Sequence, residues 1–262
     1  MRWLNRHPLV YQAAVFLLIA AVIAAAVTAG ASFLLLLLAV PAVSRGLRKL
    51  SGRLLLRELG EAGHALTGEC DPEPLAQACR EIADSRKGAR KTVLLVEAQL
   101  LYADAVSCMG RFDEAERELD RVLFGYERYD KSTQLLIEME ASEVKLRAGK
   151  PADALSYLRE AEKKVRRMEG LPPFMTASVE NRFLWYRLVT EGGSQELLEA
   201  FQKALETAAS RLDRVSGHMN IARCLLSMGR REEARPHLEF VVEQGNKLYL
   251  RREAQQALAE LL

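Results

Sequence analysis

The residue types that most often carry chemistry are few and scattered in this 262-residue chain. His64, Cys70 and Cys79 could be drawn as a metal site, but their spacing matches no common zinc pattern, so we expect core or surface roles for them. The chain has no glycine-rich phosphate loop, no H-E-x-x-H, no G-x-S-x-G and no acidic calcium loop. The sequence therefore predicts no catalytic residue, no metal and no cofactor, although an enzyme whose site leaves no motif stays an alternative.

The remaining reactive side chains fit structural roles. The four cysteines form no C-x-x-C pair and each lies inside a helical pattern, which predicts reduced, buried thiols. Glu232 and Glu233 open a predicted helix, where acids complement the helix dipole. Four basic residues are expected at a helix end for the same reason: Lys163, Lys164, Arg166 and Arg167.

Charge is unevenly distributed along the chain. Of the 37 Lys and Arg residues, 7 lie before residue 58, whereas all 35 Asp and Glu residues lie in 58–262, which therefore carries a net charge of −5. A nucleic-acid binder needs a basic face on its folded domain, so this class is excluded. Disorder is excluded as well, because 49% of the residues are hydrophobic and 27% are charged.

An internal repeat organises the acidic part, which shows helical periodicity with Gly or Pro at the joints. One phrase recurs at 108–115 (CMGRFDEA), 147–154 (RAGKPADA) and 227–234 (SMGRREEA), with a weaker copy at 192–197. Glycine lets a helix end and the chain reverse, and the alanine five residues later allows two helices to approach closely. The small positions facing these alanines are Ala103, Ser142 and Ala222, and large apolar residues follow at Leu119, Leu158 and Leu238, with Val122, Ala161 and Val241 one turn further on.

These phrases resemble the tetratricopeptide repeat family, in which a glycine turn joins two helices and small residues fill their contact. The resemblance covers residues 96–242 clearly and 55–262 more loosely, and implies an all-α fold, an α-solenoid of helix pairs. The chain departs from the family in three ways. Its turn glycines are 39, 43 and 37 residues apart, longer than the family's ~34. The weak copy has Trp185 and Leu197 at small positions, and Pro236 lies inside a second helix, where it should bend that helix or force a local rearrangement.

The ends of the repeat region are also predicted. A degenerate first copy fits helices near Leu54 to Leu66 and Pro72 to Asp84. A terminal capping helix is indicated by one apolar stripe: Leu250, Ala254, Ala257, Leu258 and Leu261.

If the resemblance holds, the first helix of each pair, which we call a first helix, lines a concave groove that binds an extended or helical peptide of mixed charge. The family's groove positions transfer to Glu97, Leu100, Asp104, Met139, Glu143, Arg182, Tyr186, Met219 and Arg223. The Lys and Asn set with which some members grip a C-terminal carboxylate is absent. The resemblance thus implies a protein or peptide partner and no small-molecule substrate, although these positions could equally be a solvated inner face.

A membrane segment precedes the repeats. Leu9 to Val43 is a run of 35 residues without a charge. A single helix of that length would measure about 52 Å, against a hydrocarbon core of about 30 Å. We therefore predict a hairpin of two spans, 9–29 and 31–47, broken near Gly30, with Pro41 tolerated within the second span. One strongly tilted span, or a signal peptide cleaved at 29–31, are the alternatives.

Flanking charges orient the hairpin. Two arginines precede it and five basic residues follow it, so both ends should face the cytoplasm, with the protein in the plasma (inner) membrane. The five are predicted to contact lipid headgroups, or to act as a plain stop-transfer flank: Arg45, Arg48, Lys49, Arg53 and Arg57. The predicted domains are 1–44 as anchor, 45–57 as basic juxtamembrane helix and 58–262 as the repeat domain.

Together these features predict a membrane-anchored scaffold or adaptor that recruits a protein partner to the cytoplasmic face. A membrane-shaping protein, whose hairpin is a wedge and whose helices oligomerise, is an alternative from a different class. An envelope-facing chaperone-like protein is another, and it would place the repeats on the opposite side of the membrane.

Overall fold

The structure is a computed structural model that describes residues 57–85 and 93–261. Within these ranges the chain forms α-helices and one 3-10 turn, Tyr126–Arg128, and no strand, which confirms the all-α prediction. Helix α1 covers residues 57–69. The other helices are α2 (Glu73–Ser85), α3 (Val93–Cys108), α4 (Phe112–Leu123), α5 (Lys131–Arg147), α6 (Pro151–Arg167), α7 (Pro173–Glu191), α8 (Gln195–Glu206), α9 (Arg211–Ser227), α10 (Arg231–Gln244) and α11 (Tyr249–Ala259).

The three strong copies of the repeated phrase form the same turn. Gly110, Gly149 and Gly229 have φ values of +84°, +71° and +74°, in the left-handed region that glycine adopts without strain. In each turn, the N–H after the glycine bonds the carbonyl five residues back, as Arg111 does to Val106 O at 3.0 Å. This Schellman-type closure satisfies the last carbonyls of the first helix and reverses the chain.

The residues that follow each turn are buried as the repeat predicts. Ala115, Ala154 and Ala234 are fully buried, and so are the small residues opposite them on the first helices. The large apolar residues one turn further are at most 1% exposed. The close contact of α3 with α4, α5 with α6 and α9 with α10 therefore follows from the spacing of small and large side chains.

Successive helix pairs also contact one another. Each helix from α2 to α11 packs against its neighbour in the chain, and the first helices α3, α5, α7, α9 and α11 contact each other in sequence. They form an inner row, with α4, α6, α8 and α10 outside it. Polar caps define several helix starts, since Asp130, Ser194 and Ser210 accept hydrogen bonds from the first-turn N–H groups of α5, α8 and α9.

The weak copy is where the packing loosens. Ser194 caps α8 and Gly192 has a φ of +83°, so a turn is present at the predicted place. The partly buried Trp185 stands where the other pairs have a fully buried Ala or Ser, however. Helices α7 and α8 pack less tightly than the other pairs, and the Trp185 ring lies beside Arg223 of α9.

The last helices return to the first ones. Near the start of α2, Asp71 and Glu73 accept ion pairs from Lys247 at 2.8 and 2.7 Å. The Lys247 N–H donates to Cys70 O at 3.3 Å, and Asn246 Nδ2 donates to Glu69 O at 2.9 Å. We call this contact between residues 69–73 and 246–247 the seam. One hydrophobic cluster accordingly contains residues of α1 to α5 together with residues of α9 to α11.

Helix α11 joins the seam to the inner row. Leu250 and Ala254 are buried and Ala257, Leu258 and Leu261 pack partly buried against the core, as the apolar stripe predicts. Its other face contacts the α3–α4 turn. Arg252 Nη2 donates to Met109 O at 2.8 Å, and the Tyr249 ring meets Phe112 edge-on at 5.2 Å.

Two sequence predictions about helix ends are refined. The two helices expected for a degenerate first copy are present as α1 and α2, with α2 one residue later at each end than expected. Pro236 does not interrupt its helix, since α10 is continuous from Arg231 to Gln244. The predicted local rearrangement is therefore not observed as a break. The proline ring is exposed, which leaves the buried contacts of Ala234 and Leu238 undisturbed.

The predicted membrane hairpin, 9–29 and 31–47, lies outside the described residues, as does most of the juxtamembrane helix. Among residues 57–85 and 93–261, no helix combines the length and apolar character needed to cross a membrane.

Candidate binding groove

The inner row of helices encloses a cavity of about 490 Å³, which we call the central cavity. Its walls come from α5, α7, α8, α9 and the start of α11. Small and apolar side chains form the wall on the α8 side, among them Phe201, Ala204, Leu205 and Ala208. Charged side chains form the opposite wall, among them Glu143, Arg147 and Arg182. A volume of this size is typical of ligand sites in proteins.

The charged wall is an ion-pair network that joins three first helices. Arg147, only 10% exposed, donates to Asp104 of α3 at 2.8 Å and also to Glu143 and Ser107. Glu143 in turn accepts from Arg182 of α7. Because every charge has an opposite partner within the network, the wall is rigid and close to neutral.

The network perturbs the carboxyl groups near it. Burial opposes the ionisation of Glu143, but Arg147 and Arg182 outweigh it and lower the pKa of Glu143. Glu140, one turn earlier on α5, behaves in the opposite way. Burial, followed by the negative charges of Asp104 and Glu143, raises the pKa of Glu140 well above its ordinary value. One buried carboxyl oxygen of Glu140 has no hydrogen-bond partner, as expected of an acid held next to ionised neighbours.

A second, more open cavity of about 610 Å³ adjoins the first. Four side chains line both cavities: Arg147, Trp185, Arg223 and Tyr249. We call these the partition residues. The Arg223 guanidinium lies 5.9 Å from the Trp185 ring centroid and donates to both carboxylate oxygens of Glu253, at 2.9 and 2.6 Å. Burial raises the pKa of the Tyr249 hydroxyl. The two cavities form one groove along the inner row, narrowed at the partition residues.

The structure brings together four of the nine predicted groove residues. Glu143, Arg182 and Arg223 line the central cavity, and Asp104 reaches its wall through Arg147. Two of these residues are paired directly with each other, since Glu143 accepts from Arg182.

The other five predicted residues lie elsewhere. Leu100 and Met139 are each 7% exposed and Met219 is 1% exposed, so these three belong to the hydrophobic core and not to the groove surface. Glu97 and Tyr186 are partly buried and are not among the residues that line either cavity. The first helices are packed on several sides, which buries Leu100, Met139 and Met219.

Sequence reasoning missed three of the partition residues: Arg147, Trp185 and Tyr249. A signal for Arg147 was present, because polar residues recur at four-residue steps on the first helices, as Glu143 and Arg147 do on α5. Trp185 was noted as a departure from the repeat, without a role. Tyr249 could not be found from local pattern, since it reaches the groove through the return of α11.

The metal and thiol predictions concern residues that the structure describes. No cluster of three or more potential ligands occurs within 57–85 and 93–261. All four cysteines are buried and unpaired, as predicted. Burial raises the pKa of the Cys79 thiol to about 12 and raises that of Cys108, which lines the central cavity, well above its ordinary value. These thiols are accordingly unreactive in the closed fold.

A histidine pair lies between α9 and α10. The Nδ1 atoms of His218 and His237 are 2.9 Å apart, so one ring donates to the other, and His218 stacks on Phe240 with centroids 3.9 Å apart. Burial, then the neighbouring His237 and Arg214, lowers the pKa of His218 to about 4. The pair is neutral near pH 7 and serves the contact between the two helices.

The predicted basic positions fall into different environments. Lys164 is largely buried and bonds Glu138 at 2.5 Å and the Tyr126 hydroxyl at 2.9 Å. It therefore ties α6 to α5, whereas Lys163, Arg166 and Arg167 are exposed near the helix end as expected. Of the predicted headgroup residues, Arg57 is described, and it is exposed and paired with Glu61. The other four, Arg45, Arg48, Lys49 and Arg53, lie outside the described residues.

Comparison of the chain with protein-family models, with curated proteins and with solved structures gives no match.

Proposed function

We propose that this protein is a membrane-anchored scaffold of the tetratricopeptide-like type, an α-solenoid that binds a segment of a partner protein in its central groove at the cytoplasmic face. The anchor rests on the uncharged run from Leu9 to Val43 and on the basic residues after it. The repeat assignment is supported by three identical glycine turns followed by fully buried alanines.

The observation that carries the proposal is the coincidence of the central cavity with the weak repeat. The other pairs close against each other through Ala or Ser, whereas α7 and α8 pack less tightly and Trp185 of α7 borders both cavities. A position that departs from a repeat's packing rule and borders a cavity is expected to serve function and not stability.

The cavity walls define the partner's chemistry. Since the charges of the Arg147 network are already paired, the groove offers no large excess of either sign. The α8 wall offers small and apolar side chains, with Phe174 at the rim 67% exposed. We infer a partner segment that inserts apolar side chains toward α8 and presents polar groups toward α5 and α7.

Site-specific photo-crosslinking in intact cells tests this function. A photoreactive phenylalanine at position 174 should give a small, reproducible set of crosslinked partners. The matched control is position 124, because Phe124 is 88% exposed but lies outside both cavities. Filling the cavity with Ala208→Trp should abolish the crosslinks from position 174, whereas Ala152→Trp, on the exposed face of α6, should not. Equal crosslinks from 174 and 124, or crosslinks that survive Ala208→Trp, would count against the groove.

A further inference from the structure

The seam is built differently from the other turn contacts of the fold. Cys70 and Asn246 have φ values of +55° and +39°, and they are the non-glycine residues with positive φ in the described part of the chain. Each lies in one of the two turns that meet at the seam, and Cys70 O accepts the hydrogen bond from Lys247. Left-handed backbone is unfavourable for cysteine, whereas asparagine adopts it more readily, and such strain persists only where surrounding contacts hold it.

Two of the contacts that hold the seam closed are ion pairs near the surface, alongside two hydrogen bonds to backbone carbonyls and the buried Leu248. Lys247 is 45% exposed, Glu73 is 62% exposed and Asp71 is 18% exposed. Ion pairs of this kind are weak individually and are screened by salt. The seam therefore combines a strained backbone at Cys70 with two ion pairs. A change in salt concentration or in the charge of Lys247 can weaken these ion pairs.

The seam is continuous with the wall of the central cavity. Residues 246 and 247 are followed directly by Leu248, Tyr249 and Leu250, which line that cavity. Tyr249 is also one of the partition residues. A displacement of the α10–α11 turn away from α2 would carry this wall with it and widen the groove.

We propose that the seam is a latch that controls entry to the central cavity, with opening at residues 246–247 moving the start of α11 aside to admit the partner segment. This inference rests on the proposed function for its biological meaning, but latch opening is a property of the chain alone. Helix α11 is suited to it as a short terminal element, since terminal helices open locally at less cost than the interior of a fold.

Cys108 provides a probe that needs no partner. It is 2% exposed and lines the central cavity. We would prepare the full chain in detergent micelles with its four cysteines retained, and follow the labelling of Cys108 by N-ethylmaleimide at constant pH, measured by mass spectrometry of the peptide that contains Cys108. Lys247→Gln should speed labelling by about two- to tenfold, the amount expected from losing two exposed ion pairs. Raising the salt concentration should speed labelling with Lys247 present and have little effect in Lys247→Gln.

Three controls separate latch opening from other effects. Lys163→Gln removes an exposed ion pair with Glu160 on α6, away from the seam, and should leave Cys108 labelling unchanged. Labelling of Cys224, which is buried outside both cavities, reports global unfolding in the same samples and should show no acceleration with Lys247→Gln. The charge swap Lys247→Glu with Glu73→Lys should bring labelling back toward the original rate.

The latch would be overturned if Lys247→Gln left the Cys108 rate unchanged, or if it accelerated Cys224 equally. Failure of the proposed function has a different outcome. The crosslinks from position 174 would then be absent, while Lys247→Gln would still speed the labelling of Cys108.

Discussion

Removal of the Arg147 side chain should destabilise the protein more than any surface charge change. Arg147 is 10% exposed and joins Asp104 of α3 to Glu143 of α5. Arg147→Met keeps much of the side-chain volume but leaves the carboxylates of Asp104 and Glu143 without this cation. Both lie near Glu140, whose ionisation is already opposed by burial and by their negative charges. Breaking a buried ion pair from one side costs about 3–5 kcal/mol, a large share of the ~5–15 kcal/mol that holds a typical domain folded.

Urea unfolding of the full chain in micelles, followed by circular dichroism at 222 nm, measures this loss. The matched control is Arg166→Met, because Arg166 is 74% exposed and pairs with Glu162 on the same helix. That change should cost less than about 1 kcal/mol. The penalty for Arg147→Met should also shrink as pH falls from 7 to 5, because Glu143, whose pKa Arg147 helps to lower, then binds a proton more readily in the variant. Equal penalties for the two variants, or a penalty that does not change with pH, would refute the account of the network.

Three further predictions follow from groups described above. Folding raises the pKa of Glu140, so stability is lost as pH rises above the ordinary pKa of a glutamate. The advantage in stability of Glu140→Gln over the original chain should therefore increase from pH 5 to 8 in urea titrations. Folding lowers the pKa of His218 to about 4, so stability should fall as pH drops from about 6.5 to 4; His218→Gln should remove about 1–2 kcal/mol of that dependence, allowing for partial exposure, and an unchanged acid profile would contradict the assignment. Pro236 lacks the N–H that would bond Glu232 O inside α10, so Pro236→Ala should raise the melting temperature, corresponding to about 1–3 kcal/mol, and a lower one would show that the proline is required there.

The local part of the fold could be predicted because each repeat encodes its own turn. A glycine followed five residues later by alanine fixes where the chain reverses and how closely two helices pack, and the buried Ala115, Ala154 and Ala234 bear this out. The same rule identified Trp185 as an exception, although the sequence did not indicate that a cavity would result. The predicted helix ends match the observed ends less closely, and those of α2 differ by one residue.

The groove could be predicted only in part, because its shape depends on contacts between distant segments. Positions such as Met139 and Met219 became core, since α5 and α9 are buried against their own partner helix and against neighbouring first helices. The seam joins Lys247 to Glu73 across 174 positions, and nothing in either local pattern indicates the other. Tyr249 and the complete partition therefore emerged from tertiary structure alone.

The seam also has a consequence for how the chain folds. In an open array of helix pairs, each pair contacts only its neighbours, so individual pairs can fold and unfold one after another. Here the final pair shares a hydrophobic cluster with the opening ones, which makes the stability of each end depend on the other. We therefore expect a single cooperative unfolding transition with slow folding for an all-helical chain, because its last bonds must close over most of its length.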